Sequence, residues 1–341
     1  MTNVASPASH RPHQNGTSTG TGACPFADTV RTHVARTVVG QDVVVERVLI
    51  ALLTGGHLLL EGVPGIAKTL LVQSVAKAID LKFARIQFTI DLLPSDILGA
   101  EILDQKSGEF RVHFGPIVTN LLLADEINRA SPKVQSALLE AMQERRVSIG
   151  DKTYDLPAPF LVIATQNPIE QSGTFELPEA QLDRFMLRHR LRYPSQADEA
   201  EVVRRSLALK LKKQGDGAVP MSAFDAIERT SPLHLRDLSE AMAAVQNVHV
   251  SDVFVRDCVE LVTRTRKHPD IELGCSPRAA IALVHASRAR AYIYGRSYTI
   301  PEDFFALAED VILHRMRLTY EALATGKKPM DVLEGLLRSL A

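Results

Sequence analysis

No stretch of this sequence offers the roughly 20 consecutive apolar residues that a membrane helix needs, so no bilayer span is expected. The first residues, MTNVASPASHRPHQNGTSTGTGACPF, also lack the apolar h-region that secretory signals carry. Cysteine is scarce: Cys24, Cys258 and Cys275 are the 3 in 341 residues, with no CxxC pair and no Cys/His cluster. Such usage argues against a disulfide framework or a zinc site and fits unpaired thiols in a reducing compartment. A surplus of charge of one sign is missing too. With 39 Lys+Arg against 40 Asp+Glu the formal net charge is -1, which gives no support for a protein-wide basic surface, while a local groove stays open. We therefore expect a soluble, cytoplasmic protein, with nucleic acid unfavoured as a partner.

What is present is an ordinary globular balance, 45% hydrophobic and 23% charged, over a length that accommodates two domains. Residues 1–26 are rich in Ser, Thr, Gly, Pro and Asn and have little to bury, so a disordered tail is expected there. From Val44 to Leu53 the apolar spacing is that of an amphipathic helix. HLLLE (57–61) then reads as a short buried strand, and TLLVQSVAKAI (69–79) as a helix. Apolar runs at 83–88, 120–124, 160–164 and 186–191 alternate with helical stretches such as 132–143. That alternation predicts an α/β fold over 27–193, a parallel sheet between helices. After Tyr193-Pro194 strand-like runs largely vanish. Helical periodicity at 200–211, 235–245, 253–266, 277–291 and 301–313 predicts a smaller all-α domain over 194–341, with KKQGDGAVP (212–220) as a loop inside it.

Three motifs carry chemistry. EGVPGIAKT (61–69) sits between the first predicted strand and a helix and matches a phosphate-binding loop whose last glycine is replaced by Ala67. The loop of Gly62, Val63, Pro64, Gly65, Ile66 and Ala67 would turn the backbone N–H groups of its non-proline residues toward phosphate oxygens, and the helix beginning with Lys68, Thr69 and Leu70 would add partial positive charge. Lys68 would reach the β- and γ-phosphates of ATP, and Thr69 would ligate Mg²⁺. Ala67 is expected to be entering the helix, where helical φ/ψ suits alanine. Next, NLLLADEINRA (120–130) is an apolar strand ending in two carboxylates. Asp125 can hold the Mg²⁺ shell while Glu126, on the other side, polarises the attacking water. Taken alone it is equally an ordinary strand with a charged end; behind a phosphate loop in the same sheet it points to ATP hydrolysis. Third, LVIATQNP (161–168) places Asn167 at a strand tip, where an amide could orient water or touch the γ-phosphate, although Asn-Pro by itself is also a turn signal.

GVPGIAKT, LLLADEINRA, ATQNP, LPEAQLDRF and GCSPRA, in this order, resemble the MoxR branch of the AAA+ ATPases, from about Val38 to the C-terminus. The resemblance implies an AAA+ core followed by a helical lid, and a final loop position where alanine is common. It makes Asn167 a sensor of the γ-phosphate and Arg184, in LDRF, a finger acting on a neighbouring subunit. Arg129 and Arg188 resemble weaker trans-acting candidates and are better read as structural or as subunit-interface residues. Arg278 resembles a second sensor: Ser276 reads as an N-cap and Pro277 as the first helical residue, which would aim Arg278 at the bound nucleotide across the domain junction. Gln41, in VVGQ, resembles a segment flanking adenine. Residues 91–117 and 145–156 resemble two insertions that project from the ring toward clients.

The leading expectation is an ATP-hydrolysing, chaperone-like motor that inserts metals or remodels partner complexes. The resemblance implies a homo-oligomeric, hexameric ring, protein clients and a partner carrying a von Willebrand factor A domain. A nucleic-acid or chelatase-type motor is the alternative, since such machines share the second insertion. The hairpin at 145–156 mixes Arg145, Arg146 and Lys152 with Asp151 and Asp155, so it is not plainly basic. A nucleotide-gated scaffold with little turnover is a third possibility, against which an intact Glu126 argues.

Overall fold

The computed structural model describes residues 24–340 apart from 64, 107, 169–172 and 229. The greater part of the expected tail, residues 1–23, and Pro64 of the phosphate loop thus lie outside the described residues. The chain begins with α1 (Pro25–Ala35), α2 (Asp42–Thr54), β1 (Leu58–Glu61), α3 (Lys68–Ala78) and β2 (Phe83–Gln87). There follow α4 (Pro94–Leu98), the hairpin β3 (Gly99–Leu103) and β4 (Phe110–Phe114), β5 (Leu121–Asp125) and α5 (Pro132–Glu144). A second hairpin, β6 (Arg146–Ile149) and β7 (Lys152–Asp155), precedes β8 (Leu161–Gln166), α6 (Glu179–Leu182) and β9 (Leu187–Arg190). The remainder is α7 (Gln196–Leu207), β10 (Leu211–Gln214), β11 (Gly217–Pro220), α8 (Leu235–Gln246), α9 (Asp252–Lys267), β12 (Ile271–Leu273), α10 (Pro277–Ile293), α11 (Pro301–Ile312), β13 (Arg317–Leu318), α12 (Tyr320–Ala324) and α13 (Pro329–Arg338).

The central sheet has the order β2-β5-β8-β1-β9, and every neighbouring pair is parallel. β1 and β5 are buried along their whole length, as a parallel sheet covered on both faces requires. Alternate residues of each strand enter different cores because strand side chains have a period of 2. Leu58, Leu60, Leu121, Leu123, Leu161 and Ile163 join one cluster with α1, α2, α3 and the C-terminal helices. Leu59, Leu122, Ala124, Val162 and Ala164 join the other, under α5 and the two insertion hairpins.

The second half is helical except for two short ribbons. The stretch 212–220, expected as a loop, forms the antiparallel pair β10–β11, closed around Gly215 at φ +58°. Its signal was present as Gly-Asp between short runs, and a two-residue turn with positive φ there suits glycine. Helix α7 starts at Gln196, earlier than its apolar periodicity indicated, because Ser195 caps it by accepting the Asp198 N–H at 3.2 Å. At the other end of the chain, Pro25 and Phe26 are not tail: they form the first turn of α1, where proline loses no needed donor, and Phe26 is buried.

Ionic contacts buried between the two halves fix how the C-terminal helices dock. Arg47 of α2 donates to Asp310 of α11 at 2.5 Å, His189 of β9 lies 2.9 Å from the same carboxylate, and Glu46 accepts from Arg290 at 3.2 Å and Tyr294 at 2.7 Å. Removing one partner would strand a charge away from water, at about 3–5 kcal/mol.

His57, just before β1, is fully buried and serves the sheet: its Nδ1 accepts the Val162 N–H at 3.0 Å and its Nε2 lies 3.1 Å from the Met142 carbonyl, to which it donates. Burial pushes its pKa down to about 4. The unfolded chain takes up this proton near pH 6.5 and the folded chain near 4, so below 6.5 the unfolded state binds more protons and stability falls as pH falls. Urea unfolding of the wild type at pH 8 and pH 5 should differ by on the order of 2 kcal/mol more than that of His57→Gln. Equal pH slopes for the two proteins would show that the imidazole is not the group responsible.

Candidate nucleotide site

Because β5, β8 and β1 are successive neighbours in a parallel sheet, their carboxyl ends open on one edge, where a ligand meets loops from all three. Register sets Glu61 of β1 beside Gln166 of β8, and Ala124 of β5 beside Ala164 of β8. The phosphate loop, Asn167 and the Asp125–Glu126 pair therefore share that edge.

The loop leaves β1 under tight constraint. The Gly62 N–H donates to the Gln166 carbonyl at 3.2 Å, and a Cβ on Gly62 would lie 2.7 Å from Ile66 Cδ1 and 3.0 Å from Leu191 Cβ. Gly65 has φ +88° with nothing within 4 Å of a notional Cβ, so conformation and not crowding calls for glycine there. Lys68 opens α3, with Thr69 and Leu70 behind it, and its ammonium donates to the Gly62 carbonyl at 2.9 Å. Burial lowers the Lys68 pKa, while the charges of Asp125 and Glu126 oppose that shift. Its ammonium thus lies in the field of the acidic pair.

Ala67 departs from expectation. It is not helical: it sits one residue before α3 at φ 59°, ψ 26°, in the left-handed region. An L side chain there costs about 1–2 kcal/mol, and glycine escapes that cost. Alanine is therefore a strained tenant of the loop and not the natural helix-entry residue its propensity indicated.

Glu126 has φ 57° and ψ 50°, so the chain turns sharply at the end of β5 and presents the two carboxylates to different partners. Asp125 Oδ1 accepts the Thr165 hydroxyl at 2.6 Å, and Thr165 Oγ1 accepts the Glu126 N–H at 2.9 Å. One hydroxyl of β8 thereby holds the Asp125 carboxylate and the Glu126 backbone together. Asp125 Oδ2 accepts Arg85 Nη2 at 2.6 Å and Nε at 3.1 Å. Arg85 also donates to Gln87 at 2.8 Å, whose amide donates to Glu126 Oε2 at 2.8 Å, and Arg129 lies 3.3 Å from that oxygen. Sequence reasoning missed Arg85, Gln87 and Thr165. The first two were findable as polar residues at i and i+2 of β2, which share a face beside the acidic strand.

Hard oxygen donors suit Mg²⁺, and the Thr69 hydroxyl and Asp125 carboxylate are of that kind. Among the described residues no cluster of three or more His, Cys, Asp or Glu could hold a metal by itself. A Mg²⁺ held by Thr69 and Asp125 would share its shell with phosphate oxygens and water, which is its habit. Beside the loop lies a cavity of about 660 Å³ walled by Val38, Val39 and Gln41, by Ile66, Ala67 and Leu70, and by Tyr193, Val202 and Val203. Its largely apolar walls fit a flat base. Asn167 is buried just past β8 and lines a second cavity of about 570 Å³ with Glu61, Gln166 and Arg188.

Arg184 and Arg278 have partners of their own. Arg184 donates to the Leu139 carbonyl at 3.1 Å, and Asp183 beside it binds Arg315 at 2.7 Å and the Ser276 hydroxyl at 3.0 Å. Ser276 caps α10 as its sequence indicates, accepting the Arg278 N–H at 3.2 Å. The Arg278 guanidinium lies 3.8 Å from the Asp183 carboxylate, and neither arginine lines the phosphate-loop cavity. The dock on Asp183 holds the first turn of α10 against the segment carrying Arg184. Arg188 pairs with Glu61 and Arg129 with Glu126, both within the chain.

Residues 57–187 match the model of the ATPase family associated with various cellular activities (AAA), and residues 263–336 that of the AAA lid domain. Chaperone MoxR1 of Mycobacterium tuberculosis is 44% identical over 317 residues, covering 90% of this chain and 80% of that protein. The chain belongs to the MoxR family of AAA+ ATPases. YeaC, an uncharacterised protein of Bacillus subtilis, is 46% identical over 90% of this chain and 92% of its own. The crystal structure of a candidate ATPase from Cytophaga hutchinsonii superposes with a TM-score of 0.82 at 43% identity, covering 92% of this chain and 94% of that one. Membership of this family implies nucleotide binding. No described helix is long and apolar enough to cross a membrane.

If the left-handed Ala67 is strained, Ala67→Gly should stabilise the nucleotide-free protein by about 1 kcal/mol, raising the melting temperature by about 2 °C. A calorimetric scan giving an equal or lower temperature would show that the loop holds Ala67 without cost.

Proposed function

We propose that this MoxR-family protein hydrolyses ATP and uses the cycle, as a chaperone-type motor, to remodel or activate partner protein complexes. The observation that carries the proposal is the convergence of Lys68, Asp125, Glu126 and Asn167 on one edge of the sheet. The loop backbone and the N-terminus of α3 bind the phosphates, and Lys68 turns from the Gly62 carbonyl toward them. Thr69 and Asp125 would hold Mg²⁺, which would supply charge neutralisation on the phosphate oxygens. Glu126 accepts hydrogen bonds from Gln87 and Arg129 in this state and, freed from them, polarises the attacking water. Asn167 orients water or the γ-phosphate from β8.

The cluster of Arg184, Arg278 and Asp183 stands apart from the phosphate-loop cavity, and this supports a ring in which both arginines serve the nucleotide of a neighbouring subunit. A planar cation there would stabilise charge on the transferring phosphoryl group. A hexamer, and a partner with a von Willebrand factor A domain, belong to the same proposal, as do assembly or metal insertion as its output. The hairpins β3–β4 and β6–β7 are candidate client surfaces: Phe114 and Tyr154 join them edge to face at 5.0 Å, leaving Ile102, Leu103 and Phe110 exposed. A nucleic-acid motor is less favoured, because Arg146 is paired with Asp155 at 2.7 Å and Arg145 donates to the Gly55 carbonyl at 3.2 Å.

Glu126→Gln should bind ATP as the wild type does while phosphate release slows by roughly 10²–10⁴-fold, since only the base is lost. Near-normal turnover would remove Glu126 from the chemistry. Arg184→Ala should lose turnover alone and regain part of it when mixed with Glu126→Gln, because each subunit supplies what the other lacks. Mixed rings with no recovery would rule out action in trans.

A further inference from the structure

The Asp125 carboxylate, offered above as a metal ligand, is already engaged by a cation of its own chain. Arg85 directs two donors, Nη2 at 2.6 Å and Nε at 3.1 Å, at Oδ2, while Oδ1 is taken by Thr165. Its reach is diagonal: Gln87, not Arg85, is the register neighbour of Asp125, and Arg85 is paired with Leu123. The Asp125 side chain is 12% exposed but that of Arg85 is 46% exposed, so the guanidinium has solvent to retreat into. Two adjacent carboxylates at a largely buried strand tip require compensating charge, and here Arg85 provides it on the Asp125 side, with Arg129 on the Glu126 side.

We propose that Arg85 is a stand-in cation: it holds Asp125 while no metal is present and is displaced from Oδ2 when Mg²⁺ arrives with nucleotide. This rests on the ATPase proposal above. The consequences are physical. A fixed positive charge next to the metal position opposes a divalent cation, so Arg85 weakens Mg²⁺ binding and holds the empty site's acids in place. Displacement also frees the Arg85 donor that Gln87 accepts, and Gln87 is the residue bonded to Glu126. Metal arrival at one acid is thereby relayed to the hydrogen bond restraining the other. Arg85 acts as a positioning residue, touching neither substrate nor the reacting atoms.

The test measures binding of a fluorescent ATP analogue in EDTA and across a Mg²⁺ titration, without reference to turnover. For Arg85→Gln, the Mg²⁺ concentration giving half-maximal binding should fall about tenfold, the scale of one released charged hydrogen bond, and binding in EDTA should weaken. If Arg85 instead orients Asp125 for the metal, the Mg²⁺ requirement will rise; that result, or an unchanged curve, overturns the proposal. Wild-type protein that binds no analogue with Mg²⁺ would sink the ATPase proposal and this one with it, whereas normal wild-type binding with an unmoved variant sinks this one alone. Should Arg85→Gln fail to fold, Arg85→Lys carries the test. Its ammonium keeps the charge but loses the fork, so the Mg²⁺ requirement should fall about threefold, and no change overturns the inference.

Discussion

The position of β8 between β5 and β1 is the constraint on which the site depends. Parallel register on both sides brings a phosphate loop, an acidic tip and a polar tip to the same edge, although they are separated by up to about a hundred residues of chain. The Thr165 hydroxyl makes that register chemical, since it holds the backbone N–H of Glu126 and the carboxylate of Asp125 at once. A strand shifted by one residue would turn Thr165 into the opposite core and take this partner from the Glu126 N–H and from Asp125 Oδ1.

Strain gathers where the site is. Ala67 and Glu126 are two of four described non-glycine residues with positive φ, and they stand just before α3 and just after β5. Each is held by neighbours that over-determine it: Ala67 by the helix it precedes and the Gly62–Gln166 bond behind the loop, Glu126 by Thr165. Such conformations persist only where the surroundings force them, which is why they mark functional turns more often than ordinary ones.

A second centre organises the other end of the molecule. Asp183 collects Arg315, Ser276 and Arg278, so the first turn of α10 is tied to the segment before β9. The buried contacts of Arg47, His189 and Asp310 tie the same helical half to α2 and β9. With two such docks the C-terminal helices follow the sheet's edge strand.

The alternation of strands and helices, the parallel sheet and the placing of Lys68 at a helix start and of Asp125, Glu126 and Asn167 at strand tips were legible in the chain itself. They follow from local causes: apolar periodicity, glycine at fixed spacing, and carboxylates at a strand's end. Ala67 was misjudged because helix propensity describes residues inside a helix, and its φ was set by the turn before it. The hairpin at 211–220 was missed because its strands are exposed and carry no buried run to announce them. The partnership of Arg85 with Asp125, the Thr165 lock and the docking of Arg278 on Asp183 were settled only by tertiary structure. Each joins residues at least 39 positions apart, and no local pattern encodes which side chains strand order and helix docking will bring within hydrogen-bonding range.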